Sequence, residues 1–249
     1  GYVFDATPGI QAVVASDDEE KLAEVVRTKD PVAVVIGSDK YTGPLYRSLE
    51  KGALIARFGV GCDGVDFQQA KAHGLPVTNT PQVLEATVAE LTVFLAGEVL
   101  RRVGHAHEQM MNGKWSPGIG RDLHGKVWAI IGMGAIGMKL SEILSFGFGV
   151  KVLACKRDLS QAESIRERYG TDKLSSDFAE TVSAADIVSI HIPASADTYH
   201  YLNADRLNIL KKGAVIINTG RGSLMYEVAL FDLMKSGTLG GAGLDVFEN

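Results

Sequence analysis

Val127-Trp128-Ala129-Ile130-Ile131-Gly132-Met133-Gly134-Ala135-Ile136-Gly137 is the stretch on which the fold turns. Its apolar opening shows no polar alternation, which reads as a strand buried on both faces. The run passes directly into G-x-G-x-x-G, and helical spacing follows from Ile136 to Leu144. Alone the glycine pattern says little, but between a strand and a helix it has a mechanism. Gly132 permits the tight turn, Gly134 leaves no side chain between backbone and a pyrophosphate, and Gly137 lets the helix lie close on the strand. Ala135, Ile136 and Gly137 then open a helix whose free N–H groups and positive dipole end suit phosphate oxygens. The plainer alternative is a glycine-rich turn without a ligand.

Outward from this unit the same alternation continues. Towards the C-terminus, strands are expected at Lys151–Cys155, Ile187–Ile192, Ala214–Asn218 and Gly243–Phe247, with helices at Gln161–Tyr169, Asn203–Leu210 and Tyr226–Ser236. Towards the N-terminus, strands are expected at Gln11–Ser16, Val32–Ile36, Leu54–Phe58 and Pro76–Asn79. Asp17 and Asp18 ahead of Glu19, Glu20 and Lys21 mark a helix N-cap with an acidic first turn, and Phe67–Ala72 is a further helix. One long amphipathic helix is expected from Leu84 to Met111, ended by Gly113-Lys114-Trp115-Ser116-Pro117-Gly118. Short apolar strands, each followed by a helix, imply an α/β protein with parallel sheets covered on both faces. The reading is two Rossmann-like lobes, residues 1–98 and 99–249, with the active site in the cleft between them.

Composition narrows the function. The chain has 249 residues, 25 Lys+Arg against 30 Asp+Glu and a formal charge of −5. With no basic cluster, nucleic acid is not the expected partner. No apolar run approaches the roughly 18 residues of a membrane span. Cys62 and Cys155 lack metal-ligand spacing, so no metal is expected and a reducing cytoplasm fits best. Glycine is abundant, at 28 residues, and many follow apolar runs.

A dinucleotide fold of the NAD type places an acid about twenty residues beyond the first glycine, on the ribose hydroxyls. Lys156 holds that place here, with Arg157 beside it. Two cations would attract a 2′-phosphate, which a guanidinium can grip bidentately. The cofactor expected is therefore NAD(P), with a slight lean to NADP. The alternative is that both are solvated loop charges and Asp158 reaches the ribose.

Several segments together resemble the D-isomer-specific 2-hydroxyacid dehydrogenases of the phosphoglycerate, glyoxylate and D-lactate dehydrogenase type. They are Ala56–Asp66, Val77–Pro81, Thr87–Leu91, Asn112–Trp115, the glycine turn, Asp186–Pro193, Asn218–Gly222 and Gly243–Phe247, in family order. The resemblance implies hydride transfer between a nicotinamide cofactor and a small 2-oxo or D-2-hydroxy acid. It implies that the N–H groups of Val60 and Gly61 hold the substrate carboxylate. Arg221 would bind carboxylate and carbonyl and polarise the carbonyl. Asp245 would accept from the nicotinamide carboxamide, and His191, Ile192, Pro193, Thr219 and Gly220 would line the cofactor groove. Plainer roles remain for each: a tight turn at Val60-Gly61, a surface ion pair for Arg221, a buried loop acid at Asp245.

The resemblance also implies a catalytic Glu immediately after Asn249 and an acid–base His further on, so the chain is expected to be cut at both ends. Glu248 is one residue out of register for that role, and the six histidines are expected to be structural or cofactor-lining. The stripe Leu91, Leu95, Val99, Leu100, Val103 implies a homodimer, since the family packs a second subunit there. A rival reading is a dinucleotide-sensing, cofactor-gated dimeric binding protein of the corepressor kind.

Overall fold

A computed structural model describes residues 7–248. The chain divides into two compact units, 1–83 and 84–249. In the first, helix α1 (Glu19–Lys29) is capped by Asp18, whose carboxylate accepts from Lys21 N–H at 3.0 Å. Strands β1 (Ala33–Ile36), β2 (Leu54–Arg57) and β3 (Val77–Thr78) pair in parallel in that order. Helices α2 (Pro44–Ser48) and α3 (Phe67–Ala72) complete it. Its core gathers Val34, Ile36, Ile55, Leu22, Val26 and Tyr46 on one side. Val35 on β1 faces outward, so among the described residues this sheet is covered on one face instead of two.

Two expectations fail in this half of the chain. Gln11–Ser16 forms no strand: its backbone pairs with no neighbouring strand, and Val13 and Val14 are exposed. A short apolar run permits a strand, but only pairing with another strand makes one. The expected long helix is two, α4 (Glu85–Arg101) and α5 (Val103–Met111). Arg102 sits in the left-handed region at φ 55°, its N–H donating to Glu98 O at 2.7 Å. The Glu98 carboxylate then accepts from Gly104 N–H at 2.9 Å and starts the next helix.

The second unit is a six-stranded, wholly parallel sheet. Its strands are β4 (Val127–Ile131), β5 (Lys151–Cys155), β6 (Lys173–Ser175), β7 (Ile187–Ile190), β8 (Val215–Asn218) and β9 (Gly241–Leu244). Their order across the sheet is β6-β5-β4-β7-β8-β9. Successive residues of β4 enter different cores: Trp128 and Ile130 join one, Ala129 and Ile131 the other. This two-sided burial is why the strand sequence carries no polar alternation. Trp128 is fully buried and its indole N–H donates to Ser189 Oγ at 2.9 Å, which removes the cost of an unmet donor.

Helix α4 decides the division of the chain. It lies on β8 and β9 and on α6 (Ala135–Glu142), burying Ala89, Thr92, Val93, Ala96 and Leu100. Gly241 and Gly243 make room: a Cβ would fall 2.6 Å from Val99 Cγ1 at the first and 3.0 Å from Leu95 Cβ at the second. The helix therefore belongs to the second unit, and the boundary falls after residue 83, not 98. Leu95 and Val99 of the expected stripe pack within this unit, whereas Val103 is exposed. Strand β6 and helix α8 (Phe178–Val182) carry no recognisable apolar run. The remaining helices are α7 (Ala162–Tyr169), α9 (Ala204–Asn208) and α10 (Glu227–Lys235).

Candidate active site

Strand order reverses between β4 and β7, and open α/β sheets bind ligands beyond the carboxyl ends of the strands at such a point. Backbone pairing aligns Ser175, Cys155, Ile131, Ile190, Asn218 and Leu244 in one row across the sheet. The next residues on five of these strands are Lys156, Gly132, His191, Thr219 and Asp245. Hydrogen bonds carry the row onward: Gly132 N–H donates to Cys155 O, His191 N–H to Ile131 O and Asp245 N–H to Asn218 O. Residues far apart in the chain thus stand along one edge. At about 4.8 Å per strand, Lys156 and Asp245 are some 19 Å apart along it.

The glycine turn fits its expected roles position by position. Gly132 has φ 101°, and a Cβ there would fall 2.7 Å from the His191 carbonyl carbon and oxygen. A Cβ at Gly137 would fall 2.3 Å from Gly132 O, so this glycine lets α6 seat on β4. Gly134 has open space around its missing side chain and is the N-cap of α6, with no side chain capping the helix. Ala135 is exposed and Ile136 half-buried. An uncapped N-terminus with an open approach is what a pyrophosphate requires. Beside the turn, His191 Nε2 is buried without a hydrogen-bond partner. Burial lowers that imidazole from its ordinary value to about 4, so it is neutral at physiological pH. Ile192 is half-buried against Gly132, and Pro193 is exposed with its carbonyl accepting from Thr198 Oγ1 at 2.8 Å. An open cradle, uncapped amides and an orphaned imidazole nitrogen together fit a bound dinucleotide.

At the end of β5, Lys156 is half-buried and Arg157 exposed, and neither makes a salt bridge among the described residues. Asp158 is occupied locally: its carboxylate accepts from Ser160 N–H at 2.9 Å, which holds it below the usual range. At the end of β8, buried Asn218 organises the loop. It donates to Arg221 O at 2.9 Å and accepts from Gly220 N–H at 3.0 Å. Arg221 is half-buried, with Nη1 donating to Gly220 O at 2.8 Å. Thr219 Oγ1 lies 3.0 Å from Thr92 Oγ1 of α4. Sequence reasoning does not reach the roles of Asn218 and Thr92. The only signal is an Asn closing an apolar strand, since its partners lie in the turn that it makes. Asp245 is exposed, so the buried loop acid is not what the structure contains.

In the first unit, Gly59-Val60-Gly61 leaves β2 with Gly59 at φ 134°. The turn is tied to the exit of β3: Gly59 N–H donates to Thr80 Oγ1 at 3.0 Å and Asn79 Nδ2 to Val60 O at 2.7 Å. The N–H groups of Val60 and Gly61 find no acceptor among the described residues. No group of three or more potential metal-ligating side chains occurs among the described residues. No helix there is long and apolar enough to cross a membrane.

The sheet order, the glycine turn at its reversal and the strand-end row are those of a dinucleotide-binding α/β domain. The family model for the D-isomer specific 2-hydroxyacid dehydrogenase NAD binding domain matches residues 93–249. The chain is 34% identical over 236 residues to a glyoxylate reductase of Thermococcus litoralis, covering 91% of this chain and 70% of that protein. It is 33% identical to a hydroxypyruvate reductase of Thermotoga maritima, covering 93% of this chain and 73% of that one. Among solved structures, D-lactate dehydrogenase from Aquifex aeolicus complexed with NAD and lactic acid superposes with a TM-score of 0.77 at 27% identity, covering 91% and 67%. The chain belongs to the D-isomer specific 2-hydroxyacid dehydrogenase family. Its activity is the nicotinamide-dependent interconversion of 2-oxo acids and D-2-hydroxy acids, and a purely sensing role is not favoured.

Proposed function

We propose that this chain reduces a short 2-oxo acid, of the glyoxylate or hydroxypyruvate kind, with NADPH preferred to NADH. The observation that carries this reading is the strand-end row from Lys156 through Gly132, His191 and Thr219 to Asp245. In this reading the α6 N-terminus receives the pyrophosphate, and Lys156 and Arg157 receive a 2′-phosphate. Asp245 orients the carboxamide of the nicotinamide. Bound dihydronicotinamide supplies the hydride. Arg221 holds the substrate carboxylate and withdraws electron density from the carbonyl oxygen, and Val60 and Gly61 offer N–H donors to the carboxylate. The engagement of Asp158 by Ser160 favours the phosphate-binding alternative at the β5 end.

Steady-state reduction of glyoxylate, hydroxypyruvate and pyruvate with each cofactor tests the proposal. Arg221→Ala should lower kcat/KM about a hundredfold or more while dinucleotide affinity survives. Undiminished turnover refutes the role of Arg221, and a strong NADH preference refutes the cofactor half.

The partner is a second copy of this chain. Helix α5 buries no residue, and Met110, Met111, Trp115 and Ile119 at its end and beyond are exposed, an apolar arm that a subunit interface would cover. A monomer in light scattering at micromolar concentration would overturn this. Cys62 and Cys155 are free thiols, which suits a cytoplasmic location.

A further inference from the structure

Asn218 is not the only support of the loop that carries Arg221. Gly222, the next residue, lies against the chain leaving β9. A Cβ there would fall 2.0 Å from the carbonyl carbon and oxygen of Phe247 and 2.3 Å from Glu248 N. The Phe247–Glu248 backbone is thus a floor under the loop, and whatever holds the floor holds the loop.

Two contacts hold it. Glu248 N–H donates to Glu227 Oε1 at 2.6 Å, at the first residue of α10. The Glu248 carboxylate lies 2.7 Å from His200 Nε2 and also accepts from the Tyr199 hydroxyl, which lowers it from its ordinary value. His200 is itself tied to the far side of the same loop, its N–H donating to Ser223 O at 2.7 Å. Its ring stacks on Tyr199 with centroids 3.9 Å apart and leans on Tyr226 at 5.0 Å. Its φ of 47° lies in the left-handed region that non-glycine residues seldom occupy. Such strain persists where the surroundings over-determine it, commonly beside functional groups.

We propose that His200 and Glu248 are positioning residues for Arg221. They clamp the Phe247–Glu248 backbone against the Gly220–Gly222 loop and so set the affinity for the 2-oxo acid, while touching neither substrate nor dinucleotide. The proposal rests on the substrate-binding role proposed for Arg221. Tyr199, Tyr226 and Glu227 complete the surroundings of the clamp.

In the full-length protein, His200→Ala and Glu248→Ala should each raise KM for the 2-oxo acid about tenfold, as loss of a charge-assisted hydrogen bond implies. Dinucleotide affinity should not change. The double variant should be no worse than either single, because the two act as one pair. His200→Gln keeps an N–H donor and the same cost at positive φ, so it should recover most of the KM. Glu248→Gln keeps an acceptor for His200 and should do likewise. Additive losses, an equal fall in dinucleotide affinity or an unchanged KM overturn the proposal. If the alanine variants do not fold, Tyr199→Phe decides: KM should rise about threefold, and no rise overturns it. Full activity in Arg221→Ala would instead refute the role of Arg221, which separates the two failures.

Discussion

Gly59-Val60-Gly61 after β2 and Gly132-Met133-Gly134 after β4 look alike in sequence, each leaving a parallel strand through a glycine at positive φ. They differ in the segment each one leads into. The second runs at once into α6, whose first amides no side chain caps. The first leads into a further loop before α3, and Asp66 caps that helix by accepting from Gln68 and Gln69 N–H at 2.9 and 3.0 Å. A glycine turn that delivers an open helix end has the free amides and dipole that suit a phosphate. Where the next helix is already capped, as it is by Asp66, the turn offers only its own N–H donors.

Four substitutions press on this contrast, from the largest expected effect to the smallest. Gly132→Val places a branched side chain at φ 101° against the His191 backbone. It should cost about 4 kcal/mol in urea unfolding and abolish dinucleotide binding.

His191, which backs the second turn, comes next. Its folded value of about 4 lies below the ordinary imidazole near 6.5, so between these the unfolded chain binds more protons. Its stability contribution is complete above about pH 6.5 and falls away as pH drops towards 4, by on the order of 3 kcal/mol. His191→Gln should remove that slope from a series of unfolding curves; an unchanged slope would assign the acid sensitivity elsewhere.

Gly134→Ala probes the helix end alone. Its Cβ meets open space, so the melting temperature should hold, while isothermal titration should show dinucleotide affinity falling about tenfold. Asp66→Ala removes the cap in the first unit and should cost about 1 kcal/mol there with dinucleotide affinity intact.

Much of the second unit is legible in the sequence because its strands bury both faces and its glycine turn stands between a strand and a helix. Val127–Ile131 and Lys151–Cys155 emerge with the expected bounds, and at Gly132 and Gly137 a Cβ would meet backbone atoms, so the sequence marks the two places where only glycine fits. The misses share a cause. Gln11–Ser16 has the short apolar run of a strand but its backbone pairs with no other strand, and Arg102 breaks the long helix with a backbone state that no side chain announces. Asn218 escapes notice because its hydrogen bonds close only once Gly220 and Arg221 have turned back on it.

Local order set by neighbours in the chain was settled by sequence alone: the βα alternation, the G-x-G-x-x-G turn and the family of the chain. Only the tertiary structure decided that the strand order reverses between β4 and β7. It alone seated α4 on Gly241 and Gly243 and brought His200 to Glu248. The physical reason is range. Strand and turn propensities act over a few residues, whereas sheet order, helix seating and a clamp across forty-eight positions depend on which surfaces the whole chain can bury together.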